Sequence, residues 1–458
     1  MGLVRCLLTV GGMNTRSLLS APLLLGVLLV GCGESPSEEG PGFEPSSKDV
    51  VSAPPVPPPG TPVPPVVVSP APPTPAPEPS PLRIPLTVEL RESGATVMVT
   101  RLHMSRPPQE SVTRVPPGTQ EFEVQGTSGE ILAVTLLSPA GELVDAVMVR
   151  AEDSHRVSRK PHSRVLRVPE EYATLQAAVD AASAGDAVLV APGTYTETVR
   201  LKSDLRLFGS GAAWTVLEGG GAPVKLLDFS GATNVVVAGF TFQNVGRGNV
   251  CDDDATATYC AGPWYSAALY ADGHFERGED PTSALVTHNV FRGNSIGVLL
   301  YYYARAVVRN NVFVGNDNGL VTNHFNGESL VANNVFWENS RQAIVSDGAY
   351  LDVLNNVVAH SGVGVHHAYI QAGRARCNLF FQNDAHLQER FLVPPWFELG
   401  QQGNVERDPL FLLPEEGVFR PSFDSPLLDA GCLGASEPEA DGTPEDVGAY
   451  GGPLGVWQ

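Results

Sequence analysis

The sequence predicts an all-β protein whose main body is a parallel β-solenoid. One short phrase recurs between residues 284 and 383: HNVFRGN from His288, NNVFVGN from Asn310, NNVFWEN from Asn333, NNVVAHS from Asn355 and CNLFFQN from Cys377. Its central large residue falls at Phe291, Phe313, Phe336, Val358 and Phe380, in steps of 22, 23, 22 and 22 residues. That period is shorter than the ~34 to 45 residues of paired-helix repeats. Each unit holds short apolar runs of Val, Phe and Leu between Asn, Gly and Asp, which reads as strand, turn, strand, turn. One unit is therefore one coil, stacked about 4.8 Å from the next.

Two columns of Asn accompany the repeat. Asn289, Asn311, Asn334, Asn356 and Asn378 precede the apolar centre by two residues; Asn294, Asn316, Asn339 and Asn383 follow it by three, with Ser361 in the fourth coil. Asn tolerates the left-handed turn conformation, and stacked amides donate and accept along a column. Each coil is thus spared a buried unpaired amide, worth roughly 1 to 3 kcal/mol. Leu299, Val321 and Ile344 share the position eight after the centre, and Val298, Leu320, Ala343 and Val365 the position before it. Only one of these columns faces the core, so the other is expected to lie under an insertion or a neighbouring domain.

The phrase N-x-F-x-x-N followed by G-V-L-L at Gly297 or G-L-V-T at Gly319 resembles the right-handed parallel β-helix repeat of the pectate-lyase-like superfamily. YATLQAAVDAASAGDAVLVAPGTYTETVRL from Tyr172 is similar to that superfamily's opening cap and first coil. DPLF at Asp408, SPLLDAG at Ser425 and DGTPEDVGAYGG at Asp441 resemble the tail of secreted bacterial β-helix proteins. The resemblance covers roughly residues 164 to 458. It implies the fold and leaves chemistry open, because the superfamily hosts lyases, hydrolases, esterases and proteins without catalytic function.

From the N-terminus, residues 1–32 read as a signal. Arg16 precedes an apolar run from Leu18 to Val30 that ends in LVGC, and this resembles the bacterial lipoprotein signal, which implies lipid on Cys32. Met13 opens a better signal than Met1 does. Gly33 after the Cys points to the outer membrane, and the membrane is a partner through the lipid alone. Residues 33–85 are a Pro-rich, disordered linker, with runs such as VSAPPVPPPGTPVPP from Val51 that favour extended polyproline structure. Residues 86–160 alternate apolar and polar in runs such as ATVMVTRL from Ala95 and ILAVTLL from Ile131, which predicts a small antiparallel β-domain of sandwich type.

The β-helix is assigned to residues 161–408 and a tail packing on it to 409–458. Leu175, Ala178, Val179 and Ala182 fall at helical spacing and predict a short cap for the first coil, where an open end would expose strand edges. Two insertions break the rhythm after Val245 and after Asp272, and such departures usually build a solenoid's functional face.

The net charge of −21 and pI near 4.8 exclude nucleic acid as a partner and count against unassisted binding of acidic polysaccharides. Of the 6 cysteines, Cys251 with Cys260 would close a short loop, leaving Cys377 with Cys432 to pin the tail.

Counting from the apolar centre puts Tyr302, His324 and Asp347 in one column, with Tyr270, Tyr301 and Asn323 beside it and Phe325 after it. Aromatic faces suit sugar rings, and His or Tyr would serve as a base, so these are the candidate catalytic and substrate-binding residues; an ordinary polar turn column is the alternative. Asp252, Asp253 and Asp254 are a candidate calcium site or a solvated acidic loop. A sugar hydrolase needs two carboxyls across the bond, and Asp347 has no acidic neighbour in that column. The expected function is polysaccharide binding at the cell surface without catalysis; a polysaccharide lyase and a structural or adhesive surface protein are the alternatives.

Overall fold

The computed structural model describes residues 82–87, 94–103, 106–117, 121–127, 129–150, 164–247, 266–273, 282–323, 327–368, 373–389, 398–432 and 443–457. Cys32, Cys251, Cys260, Asp252, Asp253, Asp254, His324 and Phe325 lie outside these residues, as does the Pro-rich stretch up to residue 81. Two cores follow one another in the chain, an antiparallel β-domain and a right-handed parallel β-helix of about nine turns.

Each full coil contributes a strand to each of three parallel sheets, of 9, 9 and 8 strands. In one coil these are Arg305–Arg309 in the first sheet, Val312–Val314 in the second and Asn318–Asn323 in the third. The coil's centre is a column of aromatic rings. Phe242, Phe291, Phe313 and Phe336 are fully buried, with successive centroids 5.1, 4.7 and 4.5 Å apart and planes within 14° of parallel. Such contacts add about 0.5 to 1.5 kcal/mol each beyond area burial.

Both amide columns form ladders. The backbone N–H and side-chain amide of Asn334 donate to Asn356 Oδ1, each at 3.0 Å, and the pattern continues from Asn289 through Asn311, Asn334, Asn356 and Asn378 to Asn404. Asn404 is a sixth rung that the repeat spacing does not reveal. The ladder residues themselves are not left-handed. The left-handed position is one residue earlier, at His288, Asn310, Asn333, Asn355 and Cys377, with φ between 51° and 56°. The turn thus needs one tolerant residue and one ladder amide, which explains the Asn-Asn pairs.

That left-handed column also holds the C-terminal tail. His288 Nε2 lies 2.8 Å from the Leu454 carbonyl, and Asn310 donates to the carbonyls of Ala449 and Gly451 at 3.0 and 2.8 Å. Asn333 donates to Asp446 O, Asn355 Oδ1 accepts from Cys432 N–H, and Cys377 is disulfide-bonded to Cys432 as expected. Phe419, Leu427, Val447 and Ala449 then cover the outer face of the second sheet, over Val312, Val335, Val357 and Leu379.

At the N-terminal end the helix Leu175–Ala181 buries Leu175, Ala178 and Val179, with Thr174 as its N-cap. The Glu197 carboxylate accepts from the N–H groups of Leu175 and Gln176, which satisfies two further donors of the first turn.

The β-domain has a four-stranded antiparallel sheet ordered Arg106–Val115, Ala95–His103, Ile131–Leu137, Leu143–Arg150, and a pair formed by Leu82–Thr87 and Glu121–Gly126. The strand Arg106–Val115 is not apparent from sequence because it opens with two prolines and alternates charged residues, a pattern tolerated at a sheet edge. Leu102, Ile131, Ala133, Ala146 and Met148 pack on Val236, Leu285, Val307 and Leu330. The β-domain therefore seats on the first sheet, not on the apolar column of the third.

Candidate functional site

Two of the three sheets have their outer faces covered by described parts of the chain, the first by the β-domain and the second by the tail. The third sheet carries the residues singled out from sequence, and its register corrects how they stack. Tyr301 pairs with Asn323, and Asn323 with Asp347, so Asp347 stands in the column of Tyr301 and not in that of Tyr302. One residue more lies between Phe336 and Gln342 than between Phe313 and the paired Asn318, and the turn from Asp347 to Tyr350 is correspondingly short. The two changes together leave the step at 22 residues, one short of the 23 before it, and so hide the shift. The same slip places Ile344, not Ala343, in the inward column with Val298, Leu320 and Val365, while Leu299, Val321 and Val345 form the outward one.

Two outward columns result. One runs Asp228, Tyr270, Leu299, Val321, Val345 and His366; the other runs Asp272, Tyr301, Asn323 and Asp347. Tyr270, Leu299, Tyr301, Val321 and Val345 form one apolar cluster with Ile296 and Tyr302 packed against it. Tyr301 and Tyr302 meet edge to face at 4.3 Å, and Tyr302, left-handed at φ 51°, is only partly buried. Asp347 is fully buried, and Asn323 is 2% exposed with its Oδ1 buried and without a hydrogen-bond partner.

The electrostatics of this face are acidic. Lys225 is its one ammonium among the described strands beyond the first coil, and its Nζ lies 3.3 Å from the Tyr270 ring centroid. Burial pulls that ammonium's pKa down, while Asp228 and Asp272 act in the opposite direction. Burial, reinforced by Asp272 and Asp228, pushes the Tyr270 hydroxyl well above the ordinary phenol range, and burial with the neighbouring Tyr302 hydroxyl does the same at Tyr301. Both phenols therefore stay protonated near neutrality; they can donate hydrogen bonds and present ring faces, but neither is a ready base. Asp272 and Lys225 complete the face. The repeat spacing does not reveal them because Lys225 precedes the regular coils and the insertion after Val245 displaces the count before Asp272.

His366 and His367 point to opposite sides of their strand, His366 Nδ1 lying 3.0 Å from Gln388 Oε1. Among the described residues no group of three or more His, Cys, Asp or Glu stands together in a way that could hold a metal ion.

Residues 234–390 match the family model described as "Periplasmic copper-binding protein (NosD)". The described donor set does not fit a copper ion, which takes imidazole or sulfur ligands in a close group. No curated protein matches in sequence. Among solved structures, the chain is similar to the catalytic unit of a GH87 α-1,3-glucanase from Streptomyces thermodiastaticus strain HF3-3, at 14% identity and a TM-score of 0.33 over 67% of this chain and 61% of that one. It is also similar to the PL6 family alginate lyase AlyGC, at 14% identity and 0.31 over 51% and 41%, and to pectin methylesterase PemA from Erwinia chrysanthemi, at 11% and 0.25 over 50% and 81%. The chain thus spans less than two thirds of the glucanase unit and of the lyase. No helix among the described residues is long and apolar enough to cross a membrane.

Proposed function

We propose that this chain is an extracytoplasmic protein, held at the outer membrane through lipid on Cys32, whose third sheet binds polysaccharide at Tyr270, Tyr301, Tyr302 and Asn323. The observation that carries this reading is the column Asp272, Tyr301, Asn323, Asp347, in which a buried amide oxygen without a partner stands beside an aromatic ring. Ring faces suit the apolar faces of sugars, and an orphaned amide oxygen accepts from a hydroxyl. The periplasmic description of the matching family supports the compartment. Three carboxyl-bearing residues, Asp228, Asp272 and Asp347, set against one ammonium over a ring favour neutral or amino sugars over uronates.

The lyase reading is the weaker one. Removing the proton beside a uronate carboxylate requires that charge to be neutralised. Among the described third-sheet strands the basic side chains are Arg200 in the first coil, Lys225 in the second, and the histidines near the far end. Binding to an array of neutral, amino and uronic glycans tests the proposal. The wild-type protein is expected to retain neutral or amino glycans and Tyr302→Ala to lose them at unchanged melting temperature. Retention of uronates alone, or equal binding by the variant, would refute it.

A further inference from the structure

A second group of charged residues lies on the outer face of the first sheet, where each coil turns out of the third. Glu328 pairs with Tyr350, and Asp352 stands two residues further along the same strand. Leu330 and Leu354, in step with them, pack outward under the β-domain, so Glu328, Tyr350 and Asp352 share that face. Strand spacing puts the Cα atoms of Glu328 and Asp352 about 8 Å apart on diagonal neighbours. A hydrolase that activates water directly needs its two carboxyls roughly 6.5 to 9.5 Å apart, a span open to side chains that rise together from Cα atoms at this separation. Asp347 has no acidic neighbour at its repeat position, but the winding brings together two acids that no common repeat position would pair.

The environments of the two acids differ. Asp352 accepts from Arg374 Nη1 at 3.2 and 3.4 Å, and the same guanidinium donates to the Arg106 carbonyl of the β-domain and lies 5.6 Å from the Tyr350 ring. Glu328 has no such clamp, and its Oε1 is buried without a partner. The guanidinium beside Asp352 favours the carboxylate there, while the neighbouring negative charge favours a proton on Glu328. Arg305, two residues before the pairing of Val307 with Leu330, occupies the position next to Glu328 one coil earlier. It is 9% exposed, and its Nε and Nη1 are buried and without partners. Arg150 of the β-domain and Arg376 on the β-helix complete the charges around the pair.

We infer that Glu328 and Asp352 form a glycoside-hydrolysing pair at the rim of the β-domain, acting on polysaccharide held by the third sheet. This inference rests on the binding reading above, since the third-sheet strands that end at Tyr301 and Asn323 are followed in the chain by the first-sheet strands that open at Arg305 and Glu328. Glu328 gives its proton to the glycosidic oxygen as the bond from that oxygen to the anomeric carbon breaks. Asp352 takes a proton from a water molecule whose oxygen forms the new bond to that carbon. The products are a sugar hemiacetal and the free hydroxyl of the leaving chain, and solvent returns the proton from Asp352 to Glu328. Arg305 directs its two N–H groups to oxygens of the bound sugar. Burial first, then Asp352, raises the Glu328 pKa to about 7, while burial raises Asp352 to about 6 against the pull of Arg374. The required pair of protonation states is therefore populated in mildly acidic solution.

The test incubates the full chain with α-1,3-glucan, β-1,3-glucan, xylan, chitosan, polygalacturonate and alginate at pH 6.5 in 18O-water, measuring reducing ends and binding to each polymer in parallel. The inference predicts reducing ends carrying 18O, without unsaturated ends, from at least one polymer that binds. Glu328→Gln and Asp352→Asn should each lower the rate 100-fold or more while binding and melting temperature at pH 5 hold. Binding without cleavage, or cleavage that Glu328→Gln leaves intact, overturns the inference and leaves the binding proposal standing. Absence of binding to every polymer overturns both.

Discussion

Arg309 of the β-helix and Glu110 of the β-domain form an ion pair in which both side chains are fully buried. Thr100 also donates to Glu110 Oε1, at 2.7 Å, and Arg309 Nε donates to Asn310 Oδ1 at 3.1 Å. The pair joins the two cores to the turn that holds the tail. Removing one partner leaves a buried charge uncompensated, so Glu110→Ala or Arg309→Ala is expected to cost about 3 to 5 kcal/mol in urea unfolding. Glu110→Leu combined with Arg309→Met should cost far less than the two single changes together. Additive losses would show that the pair is not coupled.

Stability should depend on pH through Glu328 and Asp352. Their folded pKa values, about 7 and about 6, lie above ordinary values of 4.5 and 3.8, so the folded state holds protons that the unfolded chain releases. The stabilisation is fully present below about pH 4 and is lost as pH rises through 6 to 7. His288 acts oppositely: burial pushes it down to about 4, so its contribution is present above pH 6.5 and lost as pH falls toward 4. The limbs overlap between about pH 4 and 7, where two carboxyls oppose one imidazole, so these three groups together make melting temperature fall as pH rises through that range. Glu328→Gln should flatten the alkaline limb; a limb unchanged in that variant contradicts the assignment.

The tail should loosen when its seam is cut. Asn310→Ala removes two hydrogen bonds to the tail and places a less tolerant residue at φ 51°. A loss of about 1 to 3 kcal/mol is expected, with proteolytic cleavage after residue 409 rising before any cut in the coils. Reduction of the Cys377–Cys432 bond should enhance that cleavage further.

The coil interior was legible in the sequence because its determinants repeat: a ring at Phe291, Phe313 and Phe336, and an amide at Asn289, Asn311 and Asn334. The cap helix at Leu175 and the Cys377–Cys432 bond were legible from spacing and from cysteine arithmetic. The outer faces were not, because turns absorb single-residue changes without altering the period. That is why Asp347 stands beside Asn323, and why Glu328 and Asp352 share a face although they occupy different repeat positions. The seat of the β-domain was hidden for another reason. Leu102 and Met148 look like any strand residues until the first sheet offers Leu285 and Val307 to meet them.

Hydroxyl-radical footprinting in the presence of a retained polysaccharide tests the binding face most directly. Tyr302 is partly buried on that face, while Trp214 and Phe423 are well exposed elsewhere and serve as internal references. Binding through the third sheet predicts slower oxidation of Tyr302 with Trp214 and Phe423 unchanged. Protection of Trp214 or Phe423 with Tyr302 unaffected would place the glycan elsewhere and contradict the account.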